Sequence, residues 1–530
     1  MATMQRLVGR PGAGKTQFLR NQVAVWTERD GIDPADIVCT SHTRAAAAVL
    51  RGRVPVPEKN CATTHSLANR SIEPRELAEK GKLAREWNDQ SGLPESWKIG
   101  AAYEDLEEGM VEEHDRGKRL SEYALWRATL WTNRQLEETT RAFAKRWEAF
   151  KRDTGSQDFE DMIETATLQS STAPGNPRCL VVDEAQDLQP SQLALLRQWA
   201  EHAEHFLVAG DPAQTLYGWI GADPNALLQP MPASQHRLLS QSHRLPRTLD
   251  AYAERWLSKH SPPMCEGREY RARDEDGVMA RREYTFKEPD SLVEDVEAAL
   301  TVDPHLEGLE GVTILAACSY MLGPTIKRLR AAGIPFHNPG RRSNGAWNPL
   351  GEVKAGKWRT QDRLRVFLEG SWTGVGACSW LELLPAAWYT GTKKGTLAAL
   401  EGQARVYQQE LVPLLHDAAV AALRGRDVGW LAEHTDKAHH NAASFLAAIY
   451  RRYKAFPEPR VTIGTIHSYK GNQASTVLLY PDVSRAAMEG AETRAGRDAL
   501  VRQWYVGCSR AYDTNIIYSA ANPMLSFEAL

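Results

Sequence analysis

Apolar residues in this chain cluster in short runs, separated by turn residues and by mixed, helix-prone stretches. Met4-Gln5-Arg6-Leu7-Val8 is an apolar-leaning strand, followed by a glycine-rich turn and a helical stretch from Thr16 to Trp26. Cys179-Leu-Val-Val and His205-Phe-Leu-Val-Ala-Gly210 are continuous apolar runs, the pattern of parallel strands buried on both faces. Further along, Val312 to Ala317 predicts a strand, 322–332 a helix, and Gly333-Ile-Pro-Phe a short strand. Val461 to Ile466, Thr476 to Tyr480 and Asn515 to Tyr518 are further β-rich runs. Strands alternating with helices predict an α/β fold with parallel sheets. Two segments interrupt the alternation. Residues 67–150 are charged and helix-prone without β-branched runs, and 346–455 are rich in Ala, Leu, Trp and charge. No internal repeat and no nuclease-like carboxylate set is visible.

Composition narrows the class. A length of 530 residues suggests about three or four domains. Charged residues make up 25% and hydrophobic ones 42%, an ordinary globular balance. The net charge of −3 means that any nucleic-acid contact must come from a local basic groove. The seven cysteines form no Cys-x-x-Cys pair, which argues against zinc, an iron–sulfur cluster or a disulfide framework. No apolar run has the length of a bilayer span, and no signal-peptide segment opens the chain. The expected location is the cytoplasm.

The chemistry begins at the first turn. Gly9-Arg10-Pro11-Gly12-Ala13-Gly14-Lys15-Thr16 is a complete phosphate-binding loop between strand and helix. Its glycines let backbone N–H groups surround phosphate oxygens, and the helix N-terminus adds partial positive charge. Lys15 reaches the β/γ-phosphates and the Thr16 hydroxyl is placed to ligate Mg²⁺. The chain is expected to bind a nucleoside triphosphate, with ATP and Mg²⁺ the expected pair. Asp183 and Glu184 end the strand at Cys179; Asp183 suits the metal and Glu184 suits activation of the attacking water. The alternative is that these acids only cap the next helix. Gln214, just beyond the His205 strand, is placed to sense the γ-phosphate.

Together with these residues, a set of motifs resembles the UvrD/Rep/PcrA family of superfamily 1 DNA helicases. Asp183-Glu-Ala-Gln186-Asp187 and Gly210-Asp-Pro-Ala-Gln214-Thr-Leu-Tyr217-Gly-Trp219 carry the likeness first. In chain order, Thr40-Ser-His-Thr-Arg44-Ala-Ala, Thr63-Thr-His65-Ser66 and Asp158-Phe159-Glu-Asp161-Met also match family segments. So do Leu239-Ser-Gln241-Ser-His243-Arg244, Thr465-Ile-His467-Ser-Tyr-Lys470-Gly471 and Tyr505-Val-Gly-Cys-Ser-Arg510-Ala511.

The resemblance implies two RecA-like P-loop NTPase domains, each with a parallel sheet and a mainly helical insertion. The first core would be 1–66 with 151–240, interrupted by 67–150. The second would be 241–345 with 456–530, interrupted by a reduced insertion at 346–455. Arg244 and Arg510 would reach the γ-phosphate from the second core, where guanidinium forks spread charge over the transferring phosphoryl group. His243 would stack on the base in place of a tyrosine, and Gln473 would stand near the ribose in place of a glutamate. Arg44, His65, Phe159, Tyr217, Trp219, His467 and Lys470 would face DNA, the aromatics by stacking and the others through phosphates. Trp219 and Phe159 have a competing reading as core aromatics.

The activity implied is a DNA-dependent ATPase that moves 3′→5′ on single-stranded DNA and unwinds tailed duplex. The alternative is a nucleotide-dependent clamp subunit that leaves duplex intact. A protein partner in a repair, phage or defence complex fits either, and no membrane is expected. Several positions depart from the family. The glutamine motif expected before the phosphate loop is missing, Ile220 replaces an arginine, and Thr64 replaces a stacking aromatic. Base selectivity is therefore expected to be loose.

Overall fold

The computed structural model describes residues 3–99, 117–130, 135–227, 233–260, 270–301, 310–338, 348, 350 and 358–530. The remaining parts of the two expected insertions, 100–116 and 351–357 among them, lie outside the described residues.

Six parallel strands form the first sheet: β1 (Thr3–Gly9), β2 (Ile37–Ser41), β3 (Cys61–Thr63), β4 (Cys179–Val182), β5 (His205–Gly210) and β6 (His236–Leu239). Their order is β3-β2-β4-β5-β1-β6. Strand residues alternate between two buried faces. Val38, Leu180, Val182, Phe206 and Val208 pack with Leu195 and Trp199 on one side. Ile37, Cys39, Val181, Leu207 and Ala209 pack with Leu19, Val23 and Trp26 on the other. Burial on both faces is why these runs lack polar alternation. The register Val8↔Gly210 and Thr40↔Val182 brings the carboxyl ends of the strands to one edge, where α/β sheets bind ligands.

A second sheet follows, built from β7 (Gln241–Pro246) onward. β7 and β8 (Arg271–Arg273) form a small pair, and the sheet itself begins with β9 (Val278–Arg282). β10 (Glu310–Ala316) and β11 (Phe336–His337) come next; β12 (Ser371–Trp372) and β13 (Val406–Tyr407) form a separate antiparallel ribbon. β14 (Val461–Thr465), β15 (Ala474–Leu479) and β16 (Ala511–Tyr518) complete the sheet, ordered β11-β14-β10-β15-β16-β9, all parallel.

The predicted strands at 4–8, 179–182, 205–210, 312–317, 461–466, 476–480 and 515–518 are all present, with ends shifted by a few residues. β6 and β9 carry no continuous apolar run, because as edge strands they are buried less completely. The predicted helix at 16–26 is α-helical over Lys15–Ala24. It then widens into a π-turn, Val25–Arg29, that keeps Trp26 buried. Tyr217 opens a turn and Trp219 lies within it. Gly218–Ile220 is a 3₁₀ turn ended by Gly221 at φ 97°, where a side chain would press on Thr129 and Leu125.

Helices fill the gap between β3 and β4. Gly81–Asn88, Lys118–Ala128 and Glu138–Thr154 share a core of their own around Trp87, Phe143 and Trp147. The last of these runs unbroken through residue 150. A buried ion network ties this bundle to the helix Phe159–Gln169: Arg127 donates to Asp158 at 2.9 Å and to Glu164 at 2.8 Å, and Lys151 to Asp158 at 2.7 Å. Glu148, Asp158 and Asp161 converge as a metal site would, but Lys151 fills that place. The helices at 360–453 differ: Phe367, Trp380, Leu431 and Phe445 belong to the same core as Val312 and Ile314 of the second sheet. No helix among the described residues is long and apolar enough to cross a membrane.

Candidate nucleotide cleft and nucleic-acid face

The phosphate loop leaves β1 and enters the helix Lys15–Ala24. Gly12 and Gly14 have φ of 74° and 79°, a region that disfavours side chains. A Cβ on Gly12 would also collide with the Cβ of Arg244 and come within 2.9 Å of its backbone nitrogen. Lys15 Nζ folds back over the loop and donates to Gly9 O at 2.9 Å. Pro11 and Ala13 contribute backbone; the Pro11 carbonyl accepts from Ser242 Oγ at 3.0 Å, and Ala13 N–H donates to Arg10 O at 3.1 Å. The Arg10 guanidinium points elsewhere, into an ion pair with Asp250. The side chain is thus committed away from the loop, and only the Arg10 backbone stays with it.

Thr16 Oγ1 donates to Asp183 Oδ2 at 3.2 Å. A hydroxyl and a carboxylate side by side are hard oxygen donors, the set that suits Mg²⁺. Glu184 follows in the left-handed region at φ 53°, which costs a non-glycine residue about 1 kcal/mol. Its carboxylate accepts from Gln186 Nε2 at 2.5 Å, while Gln186 Oε1 accepts from the Asp211 N–H at 3.0 Å. The amide is thereby fixed at both ends.

Electrostatics separates the two acids. Burial and then the Glu184 charge push Asp183 up to about 6. Burial acts upward on Glu184 as well, but Lys15 and Lys470 outweigh it and hold the carboxyl below its usual value. Glu184 is therefore ionised at neutral pH, the form that a base orienting a water would need.

Two arginines enter from the second sheet's side. Arg510, 1% exposed, donates to Gln214 Oε1 at 2.8 Å and to Ser509 Oγ at 3.0 Å. Gln214 Nε2 in turn donates to Asp211 Oδ2 at 2.7 Å. Arg244 donates from Nε to Gln473 Oε1 at 2.8 Å and from Nη1 to Ser509 O at 3.3 Å. Among the described residues neither guanidinium has a carboxylate partner at ion-pair distance. Burial first, then the Arg510 charge, holds Arg244 down at about 9; burial also lowers Arg510. Two desolvated cations that repel each other, beside a phosphate loop, make an anion site (the reverse of the usual buried pair). His243 is exposed, its N–H donates to Gly12 O at 2.8 Å, and its ring lies over Gly14.

The residues expected to face DNA divide into three groups. Trp219 is 39% exposed and Arg44 is exposed, whereas His65 and Phe159 meet edge to face at 5.5 Å, half-buried. Tyr217, His467 and Lys470 are turned inward. Tyr217 is 5% exposed, its ring against His42 at 5.1 Å and His467 at 6.2 Å. Lys470 pairs with the buried Asp187 and donates to Gln214 O at 2.5 Å. An ammonium so committed links Gln214 to the Tyr217 cluster. Sequence reading missed Gln186, Asp187, Asp211, His42 and Ser242 as parts of this site. All five sit inside the motifs quoted above, at positions to which no role was given.

Residues 5–233 match the family model for the UvrD/REP helicase N-terminal domain. The chain is 28% identical over 260 residues to the ATP-dependent DNA helicase Rep of Salmonella typhimurium, covering 44% of this chain and 38% of that protein. Rep of Escherichia coli is 28% identical over 262 residues, with the same shares. The ATP-dependent DNA helicase UvrD2 of Mycobacterium tuberculosis is 36% identical over 78 residues, 13% of this chain and 11% of that protein. The aligned stretches therefore span well under half the length of these relatives. The sequence likeness and the family model point to the same family, and the α/β architecture with parallel sheets agrees with it.

Proposed function

We propose, from an N-terminal stretch that matches the UvrD/REP helicase N-terminal domain, that this protein is an ATP-dependent DNA helicase of the UvrD/Rep type. It would translocate 3′→5′ on single-stranded DNA and unwind duplexes with a 3′ tail. The observation that carries this reading is a pair of arginines, the half-buried Arg244 and the buried Arg510, which among the described residues have no carboxylate partner and are bonded to Gln473 and Gln214 beside the phosphate loop. A γ-phosphate held by Lys15 would supply their missing anion. Its hydrolysis and release would remove that anion, so the cleft would close with ATP and open afterwards. Glu184 would orient the attacking water, with Gln186 fixing its carboxylate. Thr16 and Asp183 would hold Mg²⁺, which when bound neutralises phosphate charge.

In this reading the first motor core is 1–66 with 151–240 and the second is 241–345 with 456–530; 67–150 and 346–455 are their insertions. Trp219 and Arg44 supply the exposed DNA contacts, while Tyr217, His467 and Lys470 relay the nucleotide state to them.

A second reading, a clamp ATPase that does not separate strands, is favoured by one observation: Tyr217 and Lys470 are interior, so few expected DNA contacts remain exposed. Strand displacement on matched 3′- and 5′-tailed duplexes, run beside ATPase assays with single-stranded DNA, separates the two. Unwinding of the 3′-tailed duplex supports the helicase. DNA-stimulated ATPase without displacement supports the clamp, and a 5′ preference overturns the assigned direction.

A further inference from the structure

Arg10 lies inside the phosphate loop, yet its side chain leaves it. The guanidinium is 2% exposed and pairs with Asp250 at 3.0 Å and with Glu254; it also lies 4.6 Å over the ring of Tyr270. Both carboxylates sit on the helix Arg247–His260. That helix belongs to the second sheet's layers, since Leu249 packs with Ile466 and Val477, and Leu257 with Val501 and Tyr505. An ion pair thus bridges the phosphate loop of one sheet to a helix of the other. Two shorter links run beside it: Ser242 Oγ to Pro11 O at 3.0 Å and His243 N–H to Gly12 O at 2.8 Å. All three end on residues 242–254, the stretch that carries Arg244.

A bond this buried is specific in geometry, because a guanidinium fork reaches two carboxylates where a single ammonium reaches one. Phosphate chemistry does not need it: Lys15 already lies over the loop and the backbone supplies the N–H groups. We propose that Arg10 is a positioning residue that ties the phosphate loop to the Asp250/Glu254 helix and so fixes where Arg244 meets the γ-phosphate. This rests on the nucleotide-hydrolysis reading above.

The test uses the full chain with Arg10→Met, Arg10→Lys and Glu254→Gln. Expected for Arg10→Met is a kcat for ATP about tenfold lower with KM changed less than about threefold, because Arg244 is misplaced while Lys15 still binds phosphate. Arg10→Lys restores part of the rate, and Glu254→Gln gives a smaller loss of the same kind. A KM that rises with kcat unchanged would mean Arg10 touches nucleotide directly, and equal rates in all variants would mean the tether is idle; either overturns the proposal.

Spin labels at the exposed Arg20 and Arg255 give a readout that needs no activity. Their distance distribution should be narrow in the parent and broad in Arg10→Met, or in Glu254→Gln should Arg10→Met fail to fold. An unchanged distribution overturns the tether. Absence of hydrolysis in the parent, with the broadening seen, sinks only the hydrolysis reading.

Discussion

Replacing Lys470 by methionine should destabilise the protein by an amount that depends on pH. Lys470 is the cation that pairs with Asp187, whose side chain is 3% exposed and whose other partner is the Leu216 N–H at 3.4 Å. Removing one partner of a buried pair costs about 3–5 kcal/mol when the remaining charge cannot escape. Here it can escape by taking a proton. Burial already pushes Asp187 up to about 6 against the pull of Lys470, so without that cation its folded pKa must rise further.

The sign follows from a carboxyl whose folded pKa lies above the unfolded value. Such a group costs stability as pH rises past the unfolded pKa, and the cost stops growing at the folded pKa. In the parent it stops growing near pH 6; in Lys470→Met it continues upward at about 1.4 kcal/mol per pH unit. The loss should therefore be about 1 kcal/mol near pH 6, where a hydrogen bond is mainly what disappears, and about 3 kcal/mol or more at pH 8. Urea unfolding of parent and variant at pH 6, 7 and 8 measures it. Adding Asp187→Asn to Lys470→Met should abolish the slope. A loss that is flat with pH, or that shrinks as pH rises, refutes a buried Asp187–Lys470 pair.

Gly12→Ala should cut ATP turnover about 100-fold, since the added Cβ meets both a left-handed backbone and Arg244; near-parental kinetics would show that the loop and Arg244 separate freely in solution. Glu184→Gln should retain nucleotide binding, read by fluorescent ATP titration, while hydrolysis falls at least about 100-fold; normal turnover removes Glu184 from its role as base. Trp219→Ala should weaken single-strand binding by about 1–3 kcal/mol in an anisotropy titration. If its melting temperature instead drops sharply, Trp219 is a packing residue.

Much of the fold was legible because both-face burial leaves a plain mark. β4 and β5 are apolar at nearly every position, and β14 and β15, though they mix in Thr, Ser and Gly, are β-rich and buried throughout, so their existence follows from the run itself. Edge strands β6 and β9 were not, since one-sided or partial burial leaves mixed residues. The phosphate loop, Asp183 and Glu184 were legible for a chemical reason: phosphate contact demands glycines and a lysine at fixed spacing, next to strand-end acids.

Side-chain direction was not written in the chain. The same motif holds Tyr217 and Trp219, yet the 3₁₀ turn at Gly218 leaves Trp219 exposed and buries Tyr217 between His42 and His467. Lys470 reads as a phosphate contact until the approach of Asp187, 283 residues away in sequence, gives its ammonium a buried anion. Arg10 reads as part of a nucleotide loop until packing of the two sheets sets Asp250 and Glu254 beside it. Local sequence determined which backbone could cradle phosphate and which strands would be buried. Only the tertiary structure decided which charges would find partners across the cleft and which, Arg244 and Arg510, would have no carboxylate at ion-pair distance among the described residues.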